Sequence, residues 1–491
     1  MIVKPLHKTK IFLILLIFMA LSACQGGVKF PTNATTPEND LTRTTTATTE
    51  PTRTATQFRT ATSTPTATRI PELQVTPQDL NGIKVTFWHP WTDISAYQID
   101  LLAREFNQDN EWGITVETHM AGSNGELYRQ VAAASDGGQL PDIVAAPTSH
   151  LLRWQTEGIM LVNLDNYIYD QVWGLAEKEV ADFPRAFWDE DISNGIRLGL
   201  PAMRSFEVIF YNQGWAAELG FKDPPATPTE FKEQACAAAR ANQEDDIPAN
   251  DGTGGWIVNA RPGGILAWLF AFGYEGLPES ETDPYEFNSK EDEAAFTFLR
   301  SLIDDECAWI SRTTQYTEYF NDRYALFYSG QMQDIVRQER DAVRLQMQDG
   351  WTILPVPALD EKPIAVSSGL SYGVFDSTPE QQAAAWLFAR WMASPANQSR
   401  LVQVNSTLPL SSTAIDILSV YGQHHSAWQQ ASMWIPLAAP EPALASWREA
   451  GVIIGDAAWQ LFQPYSTSDD VETILAFLDE TIEEVLTIED K

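Results

Sequence analysis

The chain has 491 residues, with 32 Lys and Arg against 66 Asp and Glu, a formal net charge of −34 at pH 7. A field of that sign argues against nucleic acid or an anionic lipid surface as partner, while leaving the identity of any small ligand open. Three cysteines are too few for a fold built on a disulfide framework.

The N-terminus carries the first element. Lys4, Lys8 and Lys10 precede an apolar run from Ile11 to Leu21. The run is shorter than the ~20 residues a helix needs to span a bilayer, so it reads as the h-region of a signal peptide. Leu21-Ser22-Ala23-Cys24 follows. Small residues ahead of a cysteine resemble the bacterial lipobox, in which the thiol receives diacylglycerol and the cysteine becomes the first residue. Residues 1–24 are therefore expected to be a lipoprotein signal peptide lipidated at Cys24; an ordinary signal peptide with a stray cysteine is the alternative. From Pro31 to Pro71 the chain is dominated by Thr with interspersed Pro and Ala. Such a composition cannot bury enough surface to offset its ordering entropy, so 25–80 is expected to be a disordered tether. As a flexible coil of about 55 residues it would span roughly 40 Å, enough to hold a domain clear of a membrane.

Residues 82–491 form a body of about 410 residues, too long for one typical core, so two lobes are expected. Within it 24 basic residues face 61 acidic ones. Strand-like Ile83–Trp88, Ile114–Thr118 and Asp142–Ala145 alternate with helical Asp100–Phe106, Gly125–Ala134 and Leu151–Thr156. A β-α-β-α-β order implies a parallel sheet flanked by helices, with ligands gathering beyond the carboxyl ends of the strands. Those ends are His89-Pro90-Trp91, Met120 to Asn124, and Pro147 to His150. Further on, Val208–Tyr211 reads as a strand. Pro224 to Glu230 is a rigid lead-in to a helix through Ala241, with Thr227 or Thr229 as its cap. Gly254–Asn259, Ala325–Tyr328 and Trp351–Val356 read as strands. Leu266–Phe272, part of Asp283–Leu302, and Gln381–Ala393 read as helices. Cys236 and Cys307 are left as a pair in an oxidising compartment; a disulfide and two separately buried thiols are both open. Neither lies at zinc-ligand spacing.

The ordered set Val85-Thr86-Phe87-Trp88-His89, Pro141-Asp142-Ile143, Leu198 to Pro201, Phe210-Tyr211-Asn212 and Pro224 to Thr227 resembles extracellular solute-binding proteins of family 1. So do Ala325 to Gly330, Ala384 to Phe388 with Ser394-Pro395, and Leu408-Pro409-Leu410. That family includes the maltose-binding and related sugar-binding proteins, and the resemblance spans almost all of 82–491. It implies an α/β, two-lobe periplasmic-binding-protein-like fold, each lobe a sheet flanked by helices, with a ligand cleft between the lobes. Hinge strands would cross near Pro201–Phe206, Asn321–Gly330 and Gly369–Tyr372. The first lobe would comprise 82–203 and 328–370, the second 206–320 and 371–491.

Carrying the family's ligand loops across residue by residue implies a site made of Trp88, His89 and Trp91 after the first strand. Ser123 and Asn124 follow the second strand, and Ser149 and His150 the third. Arg204 and Ser205 stand where maltose-binding relatives carry a carboxylate, a departure that puts the same sugar specificity in doubt. Arg261, Gly263 and Gly264 fill a loop where relatives place aromatic side chains. Gly330 and Gln331 stand where relatives follow the glycine with a stacking tryptophan. Gly369 and Ser371 belong to the third crossing, and Trp447 matches a late cleft tryptophan. Trp88 would face the cleft from the first lobe and Trp447 from the second.

The resemblance implies a binding protein, not an enzyme, that delivers a carbohydrate to the permease subunits of an ABC importer. It would be a monomer, without cofactor or metal, held outside the cytoplasm by its lipid anchor. Two rival readings remain at this level. A surface glycosidase using paired carboxylates leaves no short signature. His89, His119 and His150 after adjacent strands could capture a metal ion, although no carboxylate accompanies them at ligand spacing.

Overall fold

The fold is described from a computed structural model, which covers residues 73–489. The signal segment, Cys24 and the Thr-rich stretch lie outside the described residues. The expected tether nevertheless extends too far, because its last residues join the body. Val75 and Leu80 are buried with Val85 and Phe87, and Trp173 Nε1 donates to the Val75 carbonyl at 3.2 Å. Leu73, Val75 and Leu80 supply the apolar surface that the Thr-rich segment lacks.

Strands β1 (Lys84–His89), β2 (Thr115–Met120) and β3 (Ile143–Ala146) pair in parallel in the order β2-β1-β3. The helices Asp93–Asp109 and Asn124–Ser135 make the crossovers, as the alternating order requires. A hairpin of β4 (Ile192–Ser193) and β5 (Ile196–Arg197) leads into β6 (Leu200–Asn212), followed by β7 (Gly254–Ile257) and β8 (Ala308–Trp309). The remaining strands are β9 (Ala325–Gln331), β10 (Trp351–Leu354), β11 (Ala365–Val374) and β12 (Ala438–Pro440). The mixed main sheet runs β2-β1-β3-β11-β6-β9-β7-β8, with β10 on β6 and β12 on β11.

Strand β6 belongs to both halves of this sheet. Its first part pairs with β11, from Leu200 opposite Tyr372 to Phe206 opposite Ser367. Its second part, Glu207–Tyr211, pairs with β9. Alternation of side chains along each strand then divides the core into layers. In the N-terminal half, Val85 and Phe87 of β1 and Ile143 and Ala145 of β3 face one cluster. Val144 and Ala146 face another, with Leu127, Tyr128 and Trp154. In the other half Ile209 and Tyr211 meet Trp256 and Trp268 on one face, while Val208 and Phe210 meet Tyr328 and Ile353 on the opposite face.

These clusters redistribute the expected segments. The helix Pro379–Met392 packs with β1 through Ala384, Trp386 and Phe388, and Ser371–Val374 pairs with β3. Residues 371–401 thus pack with the N-terminal half rather than with 206–320. Conversely, Tyr328 and Ile353 belong to the core around the second part of β6. The reason is that β11 is inserted antiparallel between β3 and β6, and the chain leaving its end can only cover the sheet it has just joined.

Of the two expected caps, Thr227 is the one used. Its Oγ1 accepts from Glu230 N at 3.2 Å, and Glu230 Oε2 accepts from Thr227 N at 3.2 Å, so two free helix-end donors are satisfied reciprocally. No helix among the described residues is long and apolar enough to cross a membrane.

Cys236, on the helix Pro228–Glu244, is disulfide-bonded to Cys307 across a sequence separation of 71. The bond ties that helix to the segment entering β8. Because a crosslink restricts the unfolded chain, replacing both cysteines by alanine should cost about 2–4 kcal/mol in denaturant unfolding. Two alkylatable thiols on the secreted, unreduced protein would contradict the pairing.

Candidate functional site

The ends of β1, β2 and β3 open onto one cavity of about 480 Å³. Pro90 and Trp91 follow β1; Ser123 and Asn124 follow β2; Pro147, Ser149 and His150 follow β3. Arg261, Gly263, Gln331, Glu441, Trp447 and Arg448 form the facing wall, with Met203, Glu207 and Ser368–Leu370 between the two. Four helices begin here: Asn124–Ser135, Thr148–Thr156, Pro262–Ala271 and Trp447–Leu461. The start of a helix carries partial positive charge, so these ends favour acceptors at the cavity edge, although His150 N, Trp447 N and Arg448 N already donate to the Pro147, Leu444 and Ala445 carbonyls. Ser123 caps the first of these, accepting from Glu126 N at 3.1 Å.

The walls touch beside the cavity. Ala445 is buried in the cluster of Tyr128 and Trp154, and the Arg448 guanidinium lies 3.9 Å from the centroid of the Tyr128 ring. At the base, β11 passes so close to β6 that a Cβ on Gly369 would sit 1.9 Å from the Met203 carbonyl oxygen. Only glycine fits there, and a register shift follows between Leu370 and Ser371.

Of the residues expected at the site, Trp91, Ser123, Asn124, Ser149, His150, Arg261, Gly263, Gln331, Gly369 and Trp447 are brought together around the cavity. The others are placed elsewhere. Trp88 alternates to the opposite face of β1 from His89. There it packs against the Tyr128 cluster, with its ring 5.0 Å from that of His119. Trp91, beyond the strand's end, takes the cavity position instead. His89 is buried between Phe87 and Trp91, with ring centroids at 5.3 and 5.6 Å. Burial pushes its pKa down to about 4, and burial takes His150 to about 3, so both imidazoles are neutral at physiological pH. His150 packs against Tyr128 and Trp154, and His119 meets Gln130 at 2.8 Å. The three histidines thus occupy separate surroundings, and among the described residues no group of three His, Cys, Asp or Glu side chains is spaced to grip a metal ion.

Arg204, expected to meet ligand, is 1 % exposed and committed internally. Its Nη2 donates to Asp191 Oδ2 and Ser371 Oγ, both at 3.0 Å. Its Nη1 donates to the carbonyls of Leu370 at 2.7 Å and Met203 at 3.0 Å, and Nε pairs with Glu190. It borders only a side hollow of about 30 Å³ next to Ser149 and Glu441. Ser371 is buried as its partner, and Ser205 donates to Gln333 Oε1. Gly330 faces Asp334 and the Phe210 ring rather than the cavity.

Two cavity carboxylates were not anticipated. Glu207 is 4 % exposed, and its Oε1 accepts from Arg261 Nη2 at 3.2 Å and Gln331 Nε2 at 2.8 Å. Burial raises its pKa. Glu441 is pushed up to about 7, by burial first and by the neighbouring Glu207 charge second. A lone carboxylate in the apolar run Phe206 to Tyr211 is a sequence signal for Glu207; Pro440-Glu441-Pro442 offers none.

This arrangement is that of a receptor cavity, with donors and acceptors converging from separate segments and aromatic surface between them. Residues 102–432 match the family model described as bacterial extracellular solute-binding protein, more than half of the 491-residue chain. The chain belongs to that family and is a binding receptor rather than an enzyme. Similar solved structures include the sugar-binding protein MalE from the phytopathogen Xanthomonas citri, with a TM-score of 0.69, 16% identity, and 83% of this chain and 98% of that one covered. UgpB from Mycobacterium tuberculosis, in complex with glycerophosphocholine, gives 0.68 at 17% identity over 83% and 99%. The cyclic α-maltosyl-1,6-maltose binding protein from Arthrobacter globiformis gives 0.67 at 16% over 82% and 98%. At such identities the likeness is one of fold, the mixed α/β fold of periplasmic-binding proteins. No curated protein sequence matches the chain.

The position of Trp88 has a measurable consequence. Trp88→Ala should lower the apo protein's unfolding free energy by about 3 kcal/mol or less, since a fully buried tryptophan costs about 3–5. Ligand affinity should stay close to that of the wild type. Unchanged melting with a large loss of affinity would return Trp88 to the cavity.

Proposed function

We propose that the chain captures a carbohydrate outside the cytoplasm and delivers it to an ABC importer, anchored to the membrane through Cys24. The observation that carries this reading is the composition of the cavity. Trp91 and Trp447 supply aromatic surface from opposite walls, and Ser123, Asn124, Ser149, Gln331, Gln333 and Glu207 supply hydrogen-bonding groups between them. A saccharide has this same division, with apolar C–H faces and a rim of hydroxyls that donate and accept. The family membership and the sugar-binding proteins among the structural neighbours support it.

In this reading the two halves of the main sheet are the cores of two lobes, and β6 and β11 are the hinge strands between them. A ligand that bonds to both walls binds the closed arrangement better than the open one and shifts the population towards it. Cys24 and the Thr-rich stretch then hold the receptor at the membrane while leaving it free to reach the permease.

A thermal-shift and calorimetry panel of mono- and oligosaccharides tests the reading. At 100 times its dissociation constant the bound sugar should stabilise the protein by about 2.7 kcal/mol, and Trp447→Ala should weaken binding by about tenfold or more. Sugar turnover in place of stoichiometric binding would sink it.

The anchor has its own test. Cys24→Ser should move the protein from the membrane fraction to the soluble fraction or leave it as uncleaved precursor. A wild-type protein that incorporates no labelled lipid would refute the anchor alone.

A further inference from the structure

The two carboxylates of the cavity are not equally provided for. Glu207 Oε1 accepts from Arg261 and Gln331, and the carboxylate lies beside Gly263 in the first turn of the helix Pro262–Ala271, where the helix dipole favours negative charge. No hydrogen bond reaches its Oε2 from the described residues. No hydrogen bond of ordinary geometry from the described residues reaches the Glu441 carboxylate, and the nearby Trp447 side chain only partly offsets its burial. Both approach the same place: a Cβ on Gly263 would lie 2.9 Å from Glu441 Oε1 and 3.2 Å from Glu207 Oε1. Glycine at 263 lets both carboxylates pack against the helix's first turn, side by side at the cavity wall.

The nearby cations do not balance this pair. Arg261 offsets one carboxylate. Arg204 is bound to Glu190 and Asp191, and Arg448 is paired with Glu449 beneath the Tyr128 ring. The charged groups acting on Glu441 are Glu207 on β6, Arg261 at the head of its helix, and Glu190 before the β4–β5 hairpin. One negative charge is left over, and near neutral pH the carboxyl pair meets it by keeping a proton for part of the time.

We propose that the solute is an amino saccharide, seated with a primary ammonium group against Glu207 and Glu441. This rests on the saccharide reading and names its class. An ammonium has three donors and no acceptor, so it can bond to Glu441 and to the free Oε2 of Glu207 at once, and its charge neutralises the remainder. A hydroxyl brings one donor and no charge. An N-acetyl group brings one donor and added bulk. A uronic acid or sugar phosphate brings a further negative charge to a place that already carries one uncompensated.

The test is calorimetry on the secreted protein with matched oligosaccharides: glucosamine-type, N-acetylated, neutral and uronic, in several linkages. The amino form should bind about tenfold or more tightly than its N-acetylated twin. It should also release protons near pH 7, seen as a dependence of binding heat on the buffer's ionisation enthalpy, because Glu441 must ionise to receive the ammonium. Glu441→Gln, close to isosteric, should remove most of the preference and the proton release; an apo melting curve checks that it folds. Equal or tighter binding of neutral or N-acetylated sugars by the wild type would overturn the amino preference while leaving the saccharide reading in place. Failure of every saccharide to bind would remove both.

Discussion

The architecture depends on one buried charge, the guanidinium of Arg204. It sits where β6 passes from one half of the sheet to the other, and its N–H donors reach two other pieces of chain. Glu190 and Asp191 come from the segment before the β4–β5 hairpin, while Leu370 and Ser371 come from β11. Asp191 in turn accepts from Thr148 at the head of the helix Thr148–Thr156, and the Arg204 carbonyl accepts from Leu408 N. A buried charge is tolerable only when paired and bonded in this way. Because the partners are spread so widely, satisfying one side chain fixes the relative placement of β6, β11 and a cavity-edging helix. Burial pushes the Glu190 carboxyl up, against the pull of the arginine beside it. The arrangement is therefore a constraint on geometry more than a source of stability.

Placement of the cavity follows from that constraint. Beside the arginine, β11 and β6 lie close enough to require Gly369, and the register shift after Leu370 turns the strand so that Ser368–Leu370 become part of the cavity. The parallel strands β1, β2 and β3 stop at the same level, since their register is set by β1. Their following segments therefore converge, and the helices Asn124–Ser135 and Thr148–Thr156 that start in them begin beside one volume. The facing wall is assembled from Arg261–Gly263, Gln331 and the Glu441–Arg448 stretch, which are distant in sequence and share only their attachment to the second half of the sheet.

The same geometry explains what was legible in the sequence. Position after a strand end is a property of the local pattern, and so Trp91, Ser123, Asn124, Ser149 and His150 could be placed from β-α-β-α-β alternation alone. Which face a strand residue takes is also local, but it needs the strand's phase. Ending β1 at Trp88 rather than His89 treated Trp88 as the strand's edge on the cavity side, whereas its pairing with His119 keeps it within the sheet. The division of 328–491 between the halves was not legible, because it depends on β11 inserting between β3 and β6, a long-range pairing without a sequence signature. The tether's end was misplaced for a simpler reason: composition changes gradually between Pro71 and Leu80, and burial of Val75 is decided by partners nearly one hundred residues away.

Arginines in a ligand-facing stretch invite the inference that an anion binds there, and Arg204 and Arg261 show why the inference needs the structure. A guanidinium directs its donors in a fixed fork, and in a chain of net charge −34 carboxylates compete for it. Here Asp191 and Glu190 claim one fork and Glu207 part of the other. Arg261 and Arg448 border the cavity, but Glu207 and Glu441 border it too, so the cavity's charge is not the positive one the arginines suggest. Outside the cavity the overall charge acts only over about 8–10 Å at physiological salt. It can bias encounter towards neutral or cationic solutes without deciding recognition. Recognition is decided by the few groups that remain unmatched once the fold's own ion pairs are made, and in this cavity the group left with the least compensation is Glu441.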